Sequence, residues 1–140
     1  MSLGRIFDIA SSGLAAETTR MTTSASNMNN ANVTASNPDD TYRAQYPVFS
    51  TVQEQAGGLL NPGIRPGVKV SGIYESETPP VMRYEPNNPL ADKDGFVYAP
   101  NISYVEEMAN LISASRAYQM NLEMINTTKQ LMQRTLQLGE

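Results

Sequence analysis

The chain of 140 residues contains no cysteine, no histidine and no tryptophan. Without cysteine it forms no disulfide, no thiolate metal site and no cysteine nucleophile. Without histidine it lacks the side chain that most often serves as a general base or metal ligand near neutral pH. These absences disfavour most classes of hydrolase and metalloenzyme.

Positive charge and long apolar runs are also scarce. Ten Lys and Arg residues against fourteen Asp and Glu residues give a formal net charge of −4. The basic residues form no cluster that could follow a phosphate backbone, so we expect no nucleic-acid binding. No apolar run approaches the roughly 20 residues that span a bilayer. The first fifteen residues also lack the basic start and longer apolar core of a cleavable secretory signal.

Two terminal segments carry large apolar side chains at intervals of seven residues. In the first segment these are Phe7, Leu14, Met21 and Met28. In the second they are Tyr104, Leu111, Tyr118, Ile125 and Met132, with Met108, Leu122 and Leu136 on adjoining rows. A seven-residue repeat keeps one side of a helix facing a partner over many turns. The pattern predicts two long helices, over residues 5–31 and 104–138.

The two predicted helices differ in their local signals. Ser103 followed by Glu106 is the capping-box pattern of a helix start, and Gly139 can close the same helix. Its length, about 52 Å at 1.5 Å per residue, exceeds the diameter of a globule of this size, so it needs an extended partner. The first helix is rich in Ser, Thr and Asn, which compete for backbone hydrogen bonds. We expect it to be weakly ordered until its apolar side is covered.

Short β-like runs and turn dipeptides fill the middle of the chain. The runs cover residues 46–52, 68–74, 81–84 and 96–98, and turn-forming pairs such as Gly57-Gly58, Pro62-Gly63 and Asp94-Gly95 punctuate this region. The expected fold class is therefore α+β. Residues 1–33 and 103–140 are expected to form one helical domain, a paired and coiled-coil-like arm, and residues 34–102 a small irregular β/loop module.

Candidate catalytic and metal sites have simpler explanations. The run from Asp92 to Gly95 resembles part of a calcium loop, but Leu90 and Asn101 would occupy its first and last ligand positions, where acidic groups are required. The pair Glu106-Glu107 is explained by the start of a helix, and Asp39-Asp40 by a turn. We therefore predict no catalytic residue, no metal, no cofactor and no small-molecule substrate.

Two interpretations of the apolar rows stay open. The rows can pack against each other inside one soluble helical hairpin, or they can pack between subunits. A further row of Ala117, Met124, Leu131 and Leu138 widens the apolar side of the second helix beyond what one facing helix covers, and large exposed apolar stripes mark interfaces. We favour an assembly interface made by Phe7, Leu14, Met21, Met28, Leu111, Tyr118, Leu122, Ile125, Met132 and Leu136.

Terminal motifs carry a resemblance to a known family. Residues 6–14 (Ile-Phe-Asp-Ile-Ala-Ser-Ser-Gly-Leu) and 26–32 (Ser-Asn-Met-Asn-Asn-Ala-Asn) resemble the N-terminal signature of bacterial flagellar rod and hook proteins. Residues 105–108 (Val-Glu-Glu-Met) and 112–121 (Ile-Ser-Ala-Ser-Arg-Ala-Tyr-Gln-Met-Asn) resemble their C-terminal signature. With residues 67–70 (Gly-Val-Lys-Val) and the short length, the chain is most similar to a subunit of the proximal rod.

The resemblance implies a structural axial subunit that assembles in the periplasm into a hollow, torque-transmitting rod. Its export would proceed unfolded through the flagellar type III apparatus, without a cleaved signal peptide. The implied partners are copies of itself, other proximal and distal rod subunits, the junction protein between rod, export gate and MS ring, and the export apparatus. The alternatives are a distal-rod or hook relative, or a subunit of another helical secretion or tail-like assembly. An enzyme is disfavoured because histidine and cysteine are absent.

Overall fold

A computed structural model describes residues 3–52 and 66–139 of the chain. Its elements are α1 (Leu3–Asn30), β1 (Gln45–Val52), β2 (Gly67–Glu75), β3 (Val81–Tyr84), β4 (Phe96–Ala99) and α2 (Tyr104–Leu138), with a 3₁₀ turn at Pro38–Asp40. The expected α+β class is confirmed, and the predicted elements are present with ends that differ by at most about two residues, as is usual for element boundaries. The predicted turns at Gly57-Gly58 and Pro62-Gly63 lie outside the described residues.

Local hydrogen bonds define both ends of α2. The Ser103 hydroxyl accepts a hydrogen bond from the Glu106 backbone N–H at 3.4 Å, which satisfies one of the free amides of the first turn. At the other end the Gly139 N–H donates to the Leu136 carbonyl at 3.2 Å. Gly139 has a φ of −95°, so the helix closes without the left-handed conformation that glycine often supplies.

The threonine hydroxyls of α1 bond to the backbone of the same helix. Thr18, Thr19 and Thr22 each donate to the carbonyl four residues earlier, at distances of 2.8–3.1 Å. These bonds satisfy the hydroxyls, but such bonds slightly destabilise a helix and often bend it. The helical state of α1 therefore depends on its tertiary contacts.

The helices α1 and α2 pack against each other in antiparallel directions. Asn27, near the end of α1, contacts Glu107 at the start of α2, whereas Gly13 faces Asn121 farther along α2. A Cβ atom at position 13 would lie 2.9 Å from the amide nitrogen of Asn121. The helices approach closely at this point because residue 13 has no side chain.

Strands β1 and β2 form an antiparallel hairpin that packs along α1. The Ser12 hydroxyl joins the hairpin to the helix, since it accepts from the Val68 N–H at 3.0 Å and donates to the Ile9 carbonyl at 2.7 Å. The strand register shifts between Val48 and Phe49, and such a bulge bends a strand and increases its twist. The hairpin can thereby follow the helix surface.

Strands β3 and β4 form a second antiparallel pair, with Val81 opposite Ala99 and Tyr84 opposite Phe96. Ala35 exchanges two backbone hydrogen bonds with Tyr98 and so bridges β4 to the segment that follows α1. Four residues separate β4 from α2. The β3–β4 pair therefore lies at the end of the helix pair where α1 ends and α2 begins.

Alanine dominates the apolar core. Among the described residues the buried apolar side chains are Ala10, Ala16, Ala31, Ala44, Val97, Ala99 and Ala114. A buried methyl group contributes far less than a buried Leu or Phe side chain, because the contribution scales with apolar area. Among the described residues, most of the larger apolar side chains therefore lie at the surface. Neither described helix combines the length and apolar character needed to cross a bilayer.

Replacing Gly13 with valine is expected to weaken the pairing of α1 with α2. The added carbons would meet Asn121, and overpacking of this kind costs about 1–3 kcal/mol of unfolding free energy. Gly72→Val is the matched control, because a Cβ atom at Gly72 meets nothing within 4 Å. Urea unfolding followed by circular dichroism measures both variants. Equal losses in the two would contradict a close approach at residue 13.

Candidate functional site

A row of small and polar side chains, seven residues apart, faces α1 from α2. In this row Glu107, Ala114 and Thr128 are buried, and Asn121 lies against Gly13. The buried residues of α1 are likewise small or polar, namely Ala10, Ala16, Thr23, Ser24 and Asn27. The helix pair thus uses a seven-residue repeat, as the sequence predicts, but its centre is formed by small and polar residues and not by the large apolar ones.

The large apolar side chains of α2 flank this central row. On one side of the central row lie four partly buried side chains, each four residues after a member of that row: Leu111, Tyr118, Ile125 and Met132. Farther round the helix on the same side lie the exposed Leu122 and Leu136. On the other side lie the exposed Met124, Leu131 and Leu138. A single facing helix therefore leaves apolar surface uncovered on both flanks of α2.

The predicted interface residues of α1 also lie at the margin of the pair. Phe7 is exposed, and Leu14, Met21 and Met28 are partly buried. Met21 and Leu111 line one shallow groove, so the two predicted rows meet at this point. The structure therefore places most of the ten predicted residues at the margins of the contact between the helices, whereas Leu122 and Leu136 lie exposed farther round α2. The role of all ten in assembly stays a prediction.

A buried amide joins both helices to the hairpin. The Asn27 side chain is fully buried and makes four hydrogen bonds. Its Nδ2 donates to the Gln45 carbonyl at 2.9 Å and to Glu107 Oε1 at 3.2 Å. Its Oδ1 accepts from the Gln45 N–H at 2.8 Å and from the Tyr42 hydroxyl at 3.0 Å. The amide thus uses both donors and both acceptor positions, and we call Asn27, Tyr42, Gln45 and Glu107 the polar junction.

The polar junction holds one end of the hairpin in place. Gln45 is the first residue of β1, and the Asn27 amide bonds both of its backbone groups as a neighbouring strand would. At the other end, Ser12 bonds the N–H of Val68 in β2. Two contacts about four helical turns apart on α1 therefore fix the position of the hairpin along the helix.

Glu107 brings a carboxylate into this buried junction. It is 2% exposed, and its Oε2 has no hydrogen-bond donor at normal distance. The described Lys and Arg residues form no ion pair with it. Burial and the nearby Glu107 carboxylate raise the pKa of the Tyr46 hydroxyl above its ordinary value of 10.0. Glu107 lies in the first turn of α2, where the helix dipole favours a negative charge. The helix start and the Asn27 amide therefore stabilise the Glu107 carboxylate.

The described residues do not assemble a metal or acid–base site. They contain no group of three or more metal-ligating side chains placed to hold an ion. Asp92 Oδ1 accepts from the N–H groups of Asp94 and Phe96 at 2.9 and 2.8 Å, and Gly95 adopts a left-handed φ of +84°. The segment that resembles a calcium loop is therefore a turn whose first carboxylate is bonded to its own backbone.

A groove of about 380 Å³ opens between α1, the hairpin and Asn121. Its lining is mainly apolar and includes Ile9 and Phe49, and Glu17 is the ionisable side chain among its described residues. The Glu17 carboxylate lies 3.6 Å from the Arg20 guanidinium. A single ion-paired carboxylate without a second acid or base is suited to packing and not to proton transfer.

Sequence patterns alone do not reveal the polar junction. They explain Glu107 by the start of a helix and give Asn27 no structural role, although the two side chains meet across 80 residues of sequence. A usable signal is their spacing, since Asn27 lies fourteen residues after Gly13 and Glu107 fourteen residues before Asn121. When a polar residue lies a multiple of seven positions from a very small residue such as glycine, both lie on the same side of the helix. That side is the one that approaches a partner closely.

The chain is similar to flagellar rod proteins along its whole length. It is 45% identical over 142 residues to the flagellar basal-body rod protein FlgC of Salmonella typhimurium and 44% identical over 140 residues to that of Escherichia coli O157:H7, with all of both chains covered. It is 32% identical over 147 residues to FlgC of Borreliella burgdorferi, with 97% of each chain covered. Residues 93–138 match the family model of the C-terminal region of flagellar basal body rod FlgEFG proteins.

Replacing Asn27 with alanine is expected to destabilise the fold markedly. The change would leave the N–H and carbonyl of Gln45 and the Glu107 carboxylate without this partner, and each such group, once buried and unsatisfied, costs about 1–3 kcal/mol. Asn29→Ala is the matched control, because Asn29 lies on the same helix and is exposed. Thermal and urea unfolding compare the two variants. A similar, small loss in both would show that the junction contributes little.

Stability is expected to fall at alkaline pH partly through Tyr46. Because its pKa is raised in the folded state, the unfolded chain loses this proton at a lower pH than the folded chain, so stability decreases as the pH rises above about 10. Tyr46→Phe removes this contribution and should flatten the decrease in melting temperature. Tyr104→Phe is the control, because Tyr104 is the first residue of α2 and lies outside the polar junction. Parallel curves for wild type and Tyr46→Phe would exclude the effect.

Proposed function

We propose a function that proceeds from one fact: the chain belongs to the FlgC family of flagellar basal-body rod proteins. The protein is a structural subunit of the flagellar basal-body rod and not an enzyme. The finer proposal is that it occupies the proximal part of the rod. There its terminal helices pack with neighbouring subunits into the wall of a hollow shaft that transmits torque.

The observation that carries this proposal is the apolar surface on both flanks of the helix pair. Phe7 on α1 and Leu122 and Leu131 on α2 are exposed in the subunit. Burying one such side chain against a neighbour contributes about 1.5–3 kcal/mol. Several per subunit would offset the conformational entropy lost when the helices become ordered. The proposed interface consists of the ten flanking residues predicted from the sequence.

The side of α2 that faces away from α1 supports a shaft wall in which one surface of each helix contacts water. From residue 119 onward this side carries the exposed polar residues Gln119, Glu123, Asn126, Gln130 and Gln133, whereas Val105 and Ile112 are exposed nearer its start. Polar side chains of this kind lose hydrogen bonds to water when they are buried without partners. In the proposed shaft the part of this side from residue 119 onward therefore stays in contact with water, while the apolar flanks contact the neighbouring subunits.

The small core supports assembly that is coupled to folding. A subunit with an alanine-rich core and a polar α1 is marginally stable by itself and becomes ordered as its flanks are covered. Such a chain suits delivery in an unfolded state by the flagellar type III export apparatus, followed by assembly in the periplasm. The proposed partners are copies of the chain, other proximal and distal rod subunits and the junction protein at the export gate and MS ring. In this proposal residues 1–33 and 103–140 together form the helical domain, and residues 34–102 form the β module.

Ile125→Asp tests the proposed interface. A carboxylate at this margin of the helix pair cannot be buried against a neighbour without a large desolvation cost. We expect export to continue, while the subunit is lost from purified basal bodies and the cells lose motility. Asn126→Asp is the control, because the adjacent residue lies on the wet side of α2 and should keep both properties.

A second variant separates assembly from folding. Because Ile125 is partly buried within the subunit, Leu122→Asp tests an exposed residue of the same proposed interface. Incorporation of both variants at the wild-type level would overturn the interface. Absence of the wild-type chain from purified basal bodies would overturn the rod function itself.

A further inference from the structure

Methionine supplies all the sulfur of this chain, because cysteine is absent. Seven of the eight methionines lie among the described residues, and their exposure divides them into two groups. Three are partly buried: Met21, Met28 and Met132. Four are exposed: Met82 (54%), Met108 (42%), Met120 (65%) and Met124 (49%). The chain therefore presents accessible thioethers and has no thiol that competes with them for an oxidant.

Three of the four exposed methionines lie on α2, beside its apolar flanks. Met124 belongs to the same seven-residue row as Leu131, on one flank of the helix pair. Met108 belongs to the row of Leu122, on the other flank. Met120 lies one turn before Met124 and borders the same flank, because side chains four residues apart are neighbours on a helix. Each apolar flank therefore carries an accessible thioether.

A peroxide oxidises a thioether by the transfer of one oxygen atom. The sulfur lone pair forms a bond to one oxygen of hydrogen peroxide, and the O–O bond breaks. The departing hydroxide then takes the proton of the transferred oxygen, which gives a sulfoxide and water. The sulfoxide is polar where the thioether was apolar. When it is buried against an apolar neighbour, it loses the hydrogen bonds that it makes to water.

We propose that Met108, Met120 and Met124 are sites of peroxide oxidation in the unassembled subunit, and that their oxidation prevents the subunit from assembling. The proposal rests on the proposed rod function, because it concerns the same apolar flanks. Before assembly the three thioethers are open to water and react. In the assembled shaft neighbouring subunits cover the flanks, so peroxide no longer reaches the sulfur atoms of Met108 and Met124. The subunit is therefore sensitive to peroxide before assembly and protected after it.

The position of each methionine decides what its oxidation does. Met82 is as exposed as the methionines of α2, but it lies on β3 and not on a flank of the helix pair. Its sulfoxide leaves the flanks apolar, so Met82 provides an internal control. Leucine at a flank position keeps a similar apolar volume and has no sulfur to oxidise. Methionine-to-leucine variants therefore separate the apolar contact from its sensitivity to peroxide.

The first test compares oxidation rates before and after assembly. The purified subunit and purified basal bodies are treated with the same concentration of hydrogen peroxide, and peptide mass spectrometry quantifies the sulfoxide at each methionine. We expect Met108 and Met124 to be oxidised at least about fivefold more slowly in basal bodies, because susceptibility follows exposure. Basal bodies dissociated in urea are the control and should regain the faster rate. Equal rates in the subunit and in intact basal bodies would overturn the proposal.

The second test measures the effect of oxidation on assembly by competition within one cell. The wild-type chain is produced together with a chain that carries Met108→Leu, Met120→Leu and Met124→Leu. The cells grow with or without a dose of hydrogen peroxide that oxidises Met108 in the unassembled wild-type chain. We expect peroxide to raise the ratio of variant to wild-type chain in purified basal bodies at least about threefold, because a sulfoxide on a flank opposes burial. Both chains experience the same cell, so general effects of peroxide cancel.

Met82→Leu, in the same competition with the wild-type chain, is the matched control, and its ratio should not change with peroxide. An unchanged ratio for the triple variant, or an equal rise for Met82→Leu, would overturn the effect of the flank methionines while the wild-type chain still entered the rod. Absence of the wild-type chain from basal bodies without peroxide would instead overturn the rod function.

Discussion

The hydrogen-bonded amide of Asn27 is the interaction on which the arrangement of the other elements depends. It connects the start of β1, the start of α2 and the segment after α1 at one buried point. A contact between alanine methyl groups tolerates sliding, because it has no directional partner. A buried amide does not, since each displaced partner is left unsatisfied in a dry environment. The junction therefore sets the register of the helix pair and the position of the hairpin together.

The close approach of the helices determines where the large apolar residues lie. Gly13 and Ala114 occupy the line of contact, so larger side chains such as Leu111 and Ile125 are displaced to its margins. The subunit is then stabilised by a small core and a polar junction, and its larger apolar area stays at the surface, where we propose that neighbouring subunits cover it. In that proposal, marginal stability in the free state and stability in the assembly have the same structural origin.

Much of the fold was predictable because its signals are local. Ser103 caps α2 through a hydrogen bond that spans three residues, and Asp92 closes a turn that spans four. The runs of β-branched and aromatic residues between turn dipeptides predicted all four strands to within two residues. The functional class was predictable for a different reason, since the terminal motifs resemble one family and similarity along the whole chain confirms it. Site prediction was less complete, because exposure depends on which row of each helix faces the other.

By itself, the sequence determined that the chain has two long terminal helices and a small β region, and it predicted no metal or acid–base site. Hydrophobic spacing and turn residues act over a few positions, and they need no knowledge of distant contacts. Only the tertiary structure decided that small and polar residues form the centre of the helix pair and that Glu107 is buried against Asn27. These features depend on how closely two backbones approach. That distance is set by packing across 80 or more residues of sequence, which no local pattern encodes.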